Sequence, residues 1–271
     1  MTSRFLLITG GNRGLGRELV TRFLEQENHT VIVAVRDPTH ATSRSLVDLH
    51  KGDGSGLIVV KYDAAVEQDA FYLAKELREK HKVDHLDIVI ANAAIATSFR
   101  LVKDVKREEI QEHINVNTYS AVSLYQATRD LLQKSTGKPM LVLVGSAAGS
   151  LEQGQPSIPN ASYGAPKCIL NWYGVRINAE DEWLNTFILG PGFTQTEMGN
   201  ESARKLGMQE APVRVEDCVN GMYQVITTAT KEKHGGMMVS YTGEGRGLQS
   251  NVFHDLRGLG RERSSEETMA N

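Results

Sequence analysis

The N-terminal stretch Phe5-Leu6-Leu7-Ile8-Thr9-Gly10-Gly11-Asn12-Arg13-Gly14-Leu15-Gly16 constrains this chain more than any other segment. An apolar, strand-forming run enters three spaced glycines, and a helical pattern from Arg17 to Gln26 follows. Gly10 suits a tight turn off the strand, Gly14 lets backbone approach a ligand with no Cβ between, and Gly16 allows the helix to pack closely on the strand. The turn then faces a helix N-terminus, whose unpaired N–H groups and dipole favour an anion. Glycine patterns alone are common in surface turns. The strand before and the helix after are the context that makes this one a nucleotide-diphosphate cradle.

Short β-branched runs recur downstream at Thr30 to Val35, Leu57 to Lys61, Ile88 to Ala91, Met140 to Gly145, Thr186 to Leu189 and Gly236 to Ser240. Helical patterns separate them: Thr42 to Leu49, Glu67 to His81, Lys106 to Asn115 continuing through Ser120 to Gln133, Tyr163 to Trp183, and Val215 to Ala229. With Phe5 to Thr9 this makes seven runs, which predicts an α/β Rossmann fold. Its sheet is doubly wound, seven-stranded and parallel, with helices on both faces. One domain is expected over residues 1–242. The glycine-rich tail 243–271 has too little apolar content to pack and is expected to be partly disordered. Gly149 to Ser162 reads as a loop beside the site, and Gly192 to Pro212 as a longer, lid-like excursion.

Composition excludes several classes. A net charge of −3 gives no global reason for nucleic acid or an anionic membrane as partner. Apolar runs are strand-sized, far short of the ~20 residues that span a bilayer. The N-terminus lacks the pattern of a secretory signal, so a cytoplasmic location is expected. Two cysteines, Cys168 and Cys218, make no disulfide framework and read as half-buried thiols in a reducing compartment.

Tyr163 and Lys167 lie four apart at the start of a helical pattern and so share a face. Ser146 follows the apolar strand Leu141 to Val144, where the same cleft would open. Taken singly, a packed tyrosine and a solvated lysine are the blander readings. Together with the glycine loop, these residues resemble the short-chain dehydrogenase/reductase superfamily, over about Phe5 to Thr242. Pro191-Gly192-Phe193-Thr194-Gln195-Thr196-Glu197-Met198 matches that family's cofactor segment, Asn117 its helix asparagine, and Asp63 its adenine-contacting acid. Val83 to Ala94 and Pro191 to Pro212 look like fungal ketoreductases of the norsolorinic acid type.

The resemblance implies Ser146, Tyr163, Lys167 and Asn117 as the catalytic set. It also implies cofactor contacts from Gly10, Asn12, Arg13, Gly14, Leu15, Gly16, Arg36, Asp63, Asn92, Ala93, Ala94, Tyr163, Lys167, Pro191, Gly192, Thr194 and Thr196. A homodimer or homotetramer through the helix beginning at Tyr163 is the implied assembly. Three features depart from the family pattern. Ala94 replaces a glycine, Pro166 precedes Lys167 and is expected in the first helical turn, and the step from Ser146 to Tyr163 is long.

The chemistry follows from the side chains. Reducing a ketone needs a hydride on carbon, which a nicotinamide cofactor brings, and a proton on oxygen. Free tyrosine has a pKa of about 10, so the Lys167 ammonium is expected to stabilise the phenolate left when Tyr163 donates. Ser146 would hydrogen-bond the substrate oxygen. By resemblance, Lys167 would also bind the nicotinamide ribose and Asn117 would hold a relaying water. At the end of the second strand, Arg36 precedes Asp37. An arginine there accommodates a 2′-phosphate and an acid binds a free 2′-OH, so NADP(H) is favoured while Asp37 keeps NAD(H) open. Arg13 is positioned to clamp the same phosphate.

These residues describe an NADPH-dependent ketoreductase. The subfamily resemblance, with Phe193, Met198, Leu206 and Met208 in the lid segment, points to a hydrophobic, aromatic or polyketide-like small-molecule carbonyl. Two alternatives stay open: an NADP(H)-binding scaffold or sensor, and a non-redox cyclase using the same pocket. The spacing of His81 and His85 offers two metal ligands without a third, and no metal is assigned. Trp172, Tyr173 and Trp183 read as core or subunit packing.

Overall fold

Strand β1 (Arg4–Thr9) buries Leu6, Leu7 and Ile8 completely, which a strand does only at the centre of a sheet covered on both faces. The computed structural model describes residues 3–151 and 158–247. After β1 come α1 (Gly14–Leu24), β2 (His29–Val35), α2 (Ala41–Arg44) running into a 3-10 turn (Ser45–Asp48), β3 (Gly56–Lys61), α3 (Glu67–Glu79) and β4 (Ile88–Ala91). Next are α4 (Arg107–Ile114), a π-helical turn (Asn115–Tyr119), α5 (Ser120–Gln133), β5 (Met140–Val144), a 3-10 turn (Ala147–Gly149) and α6 (Ala161–Glu180). The described chain closes with β6 (Asn185–Gly190), α7 (Glu197–Lys205), α8 (Val215–Thr228), α9 (Lys231–His234), β7 (Met237–Ser240) and β8 (Gly245–Gly247).

The sheet order is β3-β2-β1-β4-β5-β6-β7-β8. The first seven strands pair in parallel, and β1 lies between β2 and β4, so strand order reverses beside it. Alternate residues of β1 feed opposite cores. Leu6 and Ile8 join Leu19, Phe23, Met222 and Ile226 of α1 and α8, while Leu7 joins Leu73, Leu77, Leu124 and Leu170 of α3, α5 and α6. Each such buried leucine or isoleucine contributes roughly 1.5–3 kcal/mol relative to exposure. The doubly wound Rossmann architecture is thereby in place, with its crevice at the carboxyl ends of β1 and β4.

Several elements differ from the sequence reading. An eighth strand, β8, pairs antiparallel with β7 and occupies the start of the expected tail; residues 248–271 lie outside the described residues, as do 152–157 of the loop before α6. Helix α6 stops at Glu180, not Trp183. At its end the Lys231 ammonium donates to the Asn178 carbonyl at 2.8 Å and, just beyond the helix, to those of Asp181 and Leu184 at 3.2 and 2.7 Å. Pro166 is the sixth residue of α6 and therefore lies past the first turn. The expected helix Thr42 to Leu49 is one short α-helical turn and one 3-10 turn, and the lid-like excursion contains α7. Among the described residues, no helix is long and apolar enough to cross a membrane.

Candidate active site

The glycine loop lies between β1 and α1. Gly10 and Gly14 have φ of +65° and +55°, the left-handed region that glycine enters without steric cost. A Cβ on Gly16 would collide with the Gly10 carbonyl and come within 2.5 Å of Asn92 Nδ2. Gly16 thus sets the close contact of helix on strand, as read from sequence. Gly11 carries a similar constraint that sequence reading missed: a Cβ there would lie 2.6 Å from Val33 and 2.9 Å from Val20.

Helix α1 begins with Arg13 as its N-cap residue, which makes no side-chain cap hydrogen bond, and no acid lies in its first turn. Its leading N–H groups and positive dipole end are therefore available to an anionic ligand. The loop fits the phosphates of a dinucleotide on this ground. Leu15 packs on the core, and the Asn12 amide donates to Thr42 Oγ1 at 2.7 Å, tying the loop to α2.

Asn92 joins β4 to β1. Its amide donates to the carbonyls of Thr9 and Gly10 at 2.9 and 3.3 Å, while the Thr9 hydroxyl accepts from the backbone N–H groups of Asn92 and Ala93, both at 3.0 Å. Thr9 is a site-building residue that sequence reading passed over. Beyond the half-buried Ala94, the Asn117 side chain is bonded at both ends to one residue: its Oδ1 accepts from the Ile95 N–H at 2.8 Å and its Nδ2 donates to the Ile95 carbonyl at 2.9 Å. Asn117 lies in the π-helical turn, a distortion frequent at functional sites.

Ser146, Tyr163 and Lys167 converge as expected. Ser146 follows β5 with extended backbone and accepts from the Ala148 N–H at 3.2 Å. Tyr163, the third residue of α6, hydrogen-bonds with Ser146 through its hydroxyl. The Lys167 ammonium lies 5.8 Å from the Tyr163 ring centroid and donates to the Val144 carbonyl at 2.7 Å. Burial pushes Tyr163 up, against the hydrogen bond to Ser146, and burial lowers Lys167 to about 8.

Asn171, one turn beyond Lys167, was not legible as a site residue. It is buried, its Nδ2 donates to the Gly149 carbonyl at 3.2 Å, and its Oδ1 has no hydrogen-bond partner among the described residues. A Cβ on Gly149 would lie 2.5 Å from the Lys167 carbonyl carbon. The 3-10 turn that carries Ser146 therefore rests directly on the backbone of α6.

After β6, Gly192 has φ of +72°. Thr194 is buried and donates to the Pro191 carbonyl at 2.8 Å, and Thr196 caps α7 by accepting from the Gly199 N–H at 3.0 Å. A side chain on Gly14 would meet Thr196 at 3.7 Å, so this segment faces the glycine loop across the crevice. Leu206 and Met208 are exposed; Phe193 and Met198 are half-buried.

At the other end of the crevice, Arg36 is exposed. The Asp37 carboxylate is engaged locally, accepting from the Thr39 N–H and hydroxyl at 2.8 and 2.7 Å, which holds it below the usual carboxylate range. Asp63 accepts from the Ala65 N–H at 2.9 Å. The Arg13 guanidinium pairs with Glu197 at 3.0 Å.

Other groups fall outside the site. His81 faces Glu76, and His85 faces Asp84 and Asp87. Cys218 is fully buried, not half-buried, and burial pushes its thiol up to about 11. Trp183 packs beneath Arg129 at 5.5 Å, and Trp172 meets Tyr173 edge-on.

The sequence model of the short chain dehydrogenase family matches residues 4–207. The norsolorinic acid ketoreductase of Dothistroma septosporum is 38% identical over 236 residues, covering 86% of this chain and 88% of that protein. That of Aspergillus parasiticus is 38% identical over 238 residues, covering 87% and 88%. Among solved structures, the NADPH-bound carbonyl reductase from chicken fatty liver superposes with a TM-score of 0.77 at 24% identity, over 92% of this chain and all of that one. The chain is therefore an oxidoreductase of the short-chain dehydrogenase family, similar to the norsolorinic acid ketoreductases.

Proposed function

We propose that this protein is an NADPH-dependent ketoreductase acting on the carbonyl of a hydrophobic, aromatic polyketide-like metabolite. The convergence of Ser146, Tyr163 and Lys167 at the carboxyl end of β5 carries the reading. A nicotinamide dinucleotide, held by the glycine loop and Lys167, would supply the hydride when bound. Tyr163 donates its hydroxyl proton to the substrate oxygen. The Ser146 hydroxyl, already hydrogen-bonded with that phenol, orients the carbonyl and stabilises charge developing on its oxygen. The Lys167 ammonium, over the ring, stabilises the phenolate left behind. A raised phenol keeps Tyr163 protonated at neutral pH, the form that reduction needs.

The adenine end supports NADPH over NADH. Asp37, the acid that would bind a free ribose 2′-OH, is turned onto Thr39, while Arg36 is exposed beside it. The substrate class rests on the ketoreductase relatives and on the apolar residues of the α7 segment. Trp172 and Tyr119, respectively 60% and 48% exposed, support a homo-oligomer through α6 and the π-turn preceding α5.

NADPH oxidation against a panel of aromatic and aliphatic ketones tests the activity. Tyr163→Phe is expected to abolish turnover with NADPH affinity nearly intact, and turnover by that variant contradicts the mechanism. Arg36→Ala is expected to weaken NADPH far more than NADH, and equal loss of both contradicts the cofactor preference.

A further inference from the structure

We infer that Glu197 limits the preference for a 2′-phosphorylated dinucleotide by competing for Arg13, and that filling the 2′-phosphate position releases α7. The inference rests on the NADPH reading above. Arg13 lies on the glycine loop and Glu197 is the first residue of α7, 184 positions later, yet their side chains pair at 3.0 Å. Beside the pair, Thr196 faces Gly14 across the crevice, near enough that a Cβ on Gly14 would meet it at 3.7 Å. The loop that cradles the phosphates and the helix of the lid segment are thus joined by this ion pair where they approach each other.

Both partners are exposed, 68% for Arg13 and 79% for Glu197. Such a pair is weak, and it exchanges partners easily. A 2′-phosphate is a better partner for the guanidinium, because its charge exceeds that of a carboxylate and its oxygens match the planar fork. Glu197 keeps a favourable place when Arg13 leaves, since it lies in the first turn of α7 at the positive end of the helix dipole. Release therefore costs little on the protein side. NADPH has to displace Glu197 from Arg13, whereas NADH leaves the pair intact. The carboxylate acts as an internal competitor for the phosphate, and the exchange connects the adenine end of the crevice to the lid.

The test uses equilibrium titration of the full-length protein with NADPH and NADH. Glu197→Gln is expected to tighten NADPH by roughly two- to fivefold, the scale of an exposed ion pair, with NADH unchanged. The gain should disappear in an Arg13→Ala background. Tryptic cleavage after Arg204 and Lys205, both exposed on α7, gives a readout independent of turnover. Adenosine 2′,5′-bisphosphate should accelerate it, and 5′-AMP should not. If Arg13→Ala weakens NADPH while Glu197→Gln leaves both dinucleotides unchanged, the competition is overturned and the NADPH reading stands. Equal cleavage with the two nucleotides overturns the link to α7. If the wild-type protein binds NADH as tightly as NADPH, and Arg13→Ala alters neither, both the inference and the NADPH reading fail.

Discussion

The Lys167 ammonium donates to the Val144 carbonyl at 2.7 Å, directly beneath the strand end from which Ser146 departs. One buried lysine therefore ties α6 to β5 and holds its charge beside the Tyr163 ring.

That burial sets a pH window. Lys167 titrates near 8, below its ordinary 10.5, while Tyr163 is raised and stays protonated. Ketone reduction is expected to hold level below pH 8 and to fall as pH rises through about 8, when the ammonium that stabilises the phenolate is lost. The stability sign is opposite. Between about 8 and 10.5 the unfolded chain binds the proton that the folded site has released, so this group's contribution to stability rises with pH across that interval. A kcat/KM profile that stays level through pH 9 would contradict the assignment of Lys167.

Asn171 should act through Ser146. The hydrogen bond from its Nδ2 to the Gly149 carbonyl holds the 3-10 turn that Ser146 opens, and its Oδ1 has no partner among the described residues. Asn171→Ala is expected to lower kcat by roughly ten- to a hundredfold, the scale of a small misplacement of a reacting group. Dinucleotide affinity should be unchanged, because Asn171 is not among the residues of the glycine loop. Steady-state kinetics with direct cofactor titration checks both; weaker cofactor binding with kcat intact would refute a positioning role.

What sequence could and could not convey divides along physical lines. The central strands were readable because burial on both faces forces continuous apolar runs, as in Leu6 to Ile8 and Met140 to Val144. Tyr163 and Lys167 were readable because an i,i+4 step on a helix is a local rule. Arg13 with Glu197 was not, since no periodicity joins positions 184 apart. Helix α7 is polar along most of its length, and β8 is three residues of Gly-Arg-Gly held by hairpin pairing, so neither carries a pattern. Pro166 showed the limit of a propensity rule: the packed helix tolerates it in the second turn, where Thr118 Oγ1 donates to its carbonyl. Tyr163 showed a different limit, because its pKa depends on burial that no spacing reveals.

Arg129 should matter for stability and not for turnover. It grips the buried Asp181 with Nε at 2.8 Å and Nη2 at 2.6 Å, and Tyr125 donates to the same carboxylate at 2.6 Å. Arg129→Ala leaves that carboxylate short of its cation. A fully buried pair broken this way costs roughly 3–5 kcal/mol, and the solvent around Arg129 reduces the expected loss to about 2 kcal/mol. Thermal unfolding should show a lower Tm while kcat stays unchanged; an unchanged Tm would mean that the pair contributes nothing.

The two glycines that flank Leu15 should fail for different reasons. At Gly14 the space is open, with Thr196 at 3.7 Å, and the obstacle is a φ of +55°. Gly14→Ala is expected to cost about 1–2 kcal/mol of backbone strain, the penalty of the left-handed region for a residue with a Cβ. At Gly16 the obstacle is the Gly10 carbonyl, a backbone atom that cannot rotate away. Overpacking of this kind costs roughly 1–3 kcal/mol and moves α1 off β1. The N–H groups at the start of α1 then shift relative to Gly10 and Asn92, so dinucleotide affinity should fall as well. A displacement worth about 1.4 kcal/mol of binding is a tenfold weaker Kd. Gly14→Asn, which tolerates the left-handed region better than alanine, should recover most of the Gly14→Ala loss, and Gly16→Asn should recover none of the Gly16→Ala loss. Unfolding curves and NADPH titration of the four variants separate strain from collision. Recovery at both positions would mean that Gly16, too, is present for its backbone freedom and not for the contact it allows.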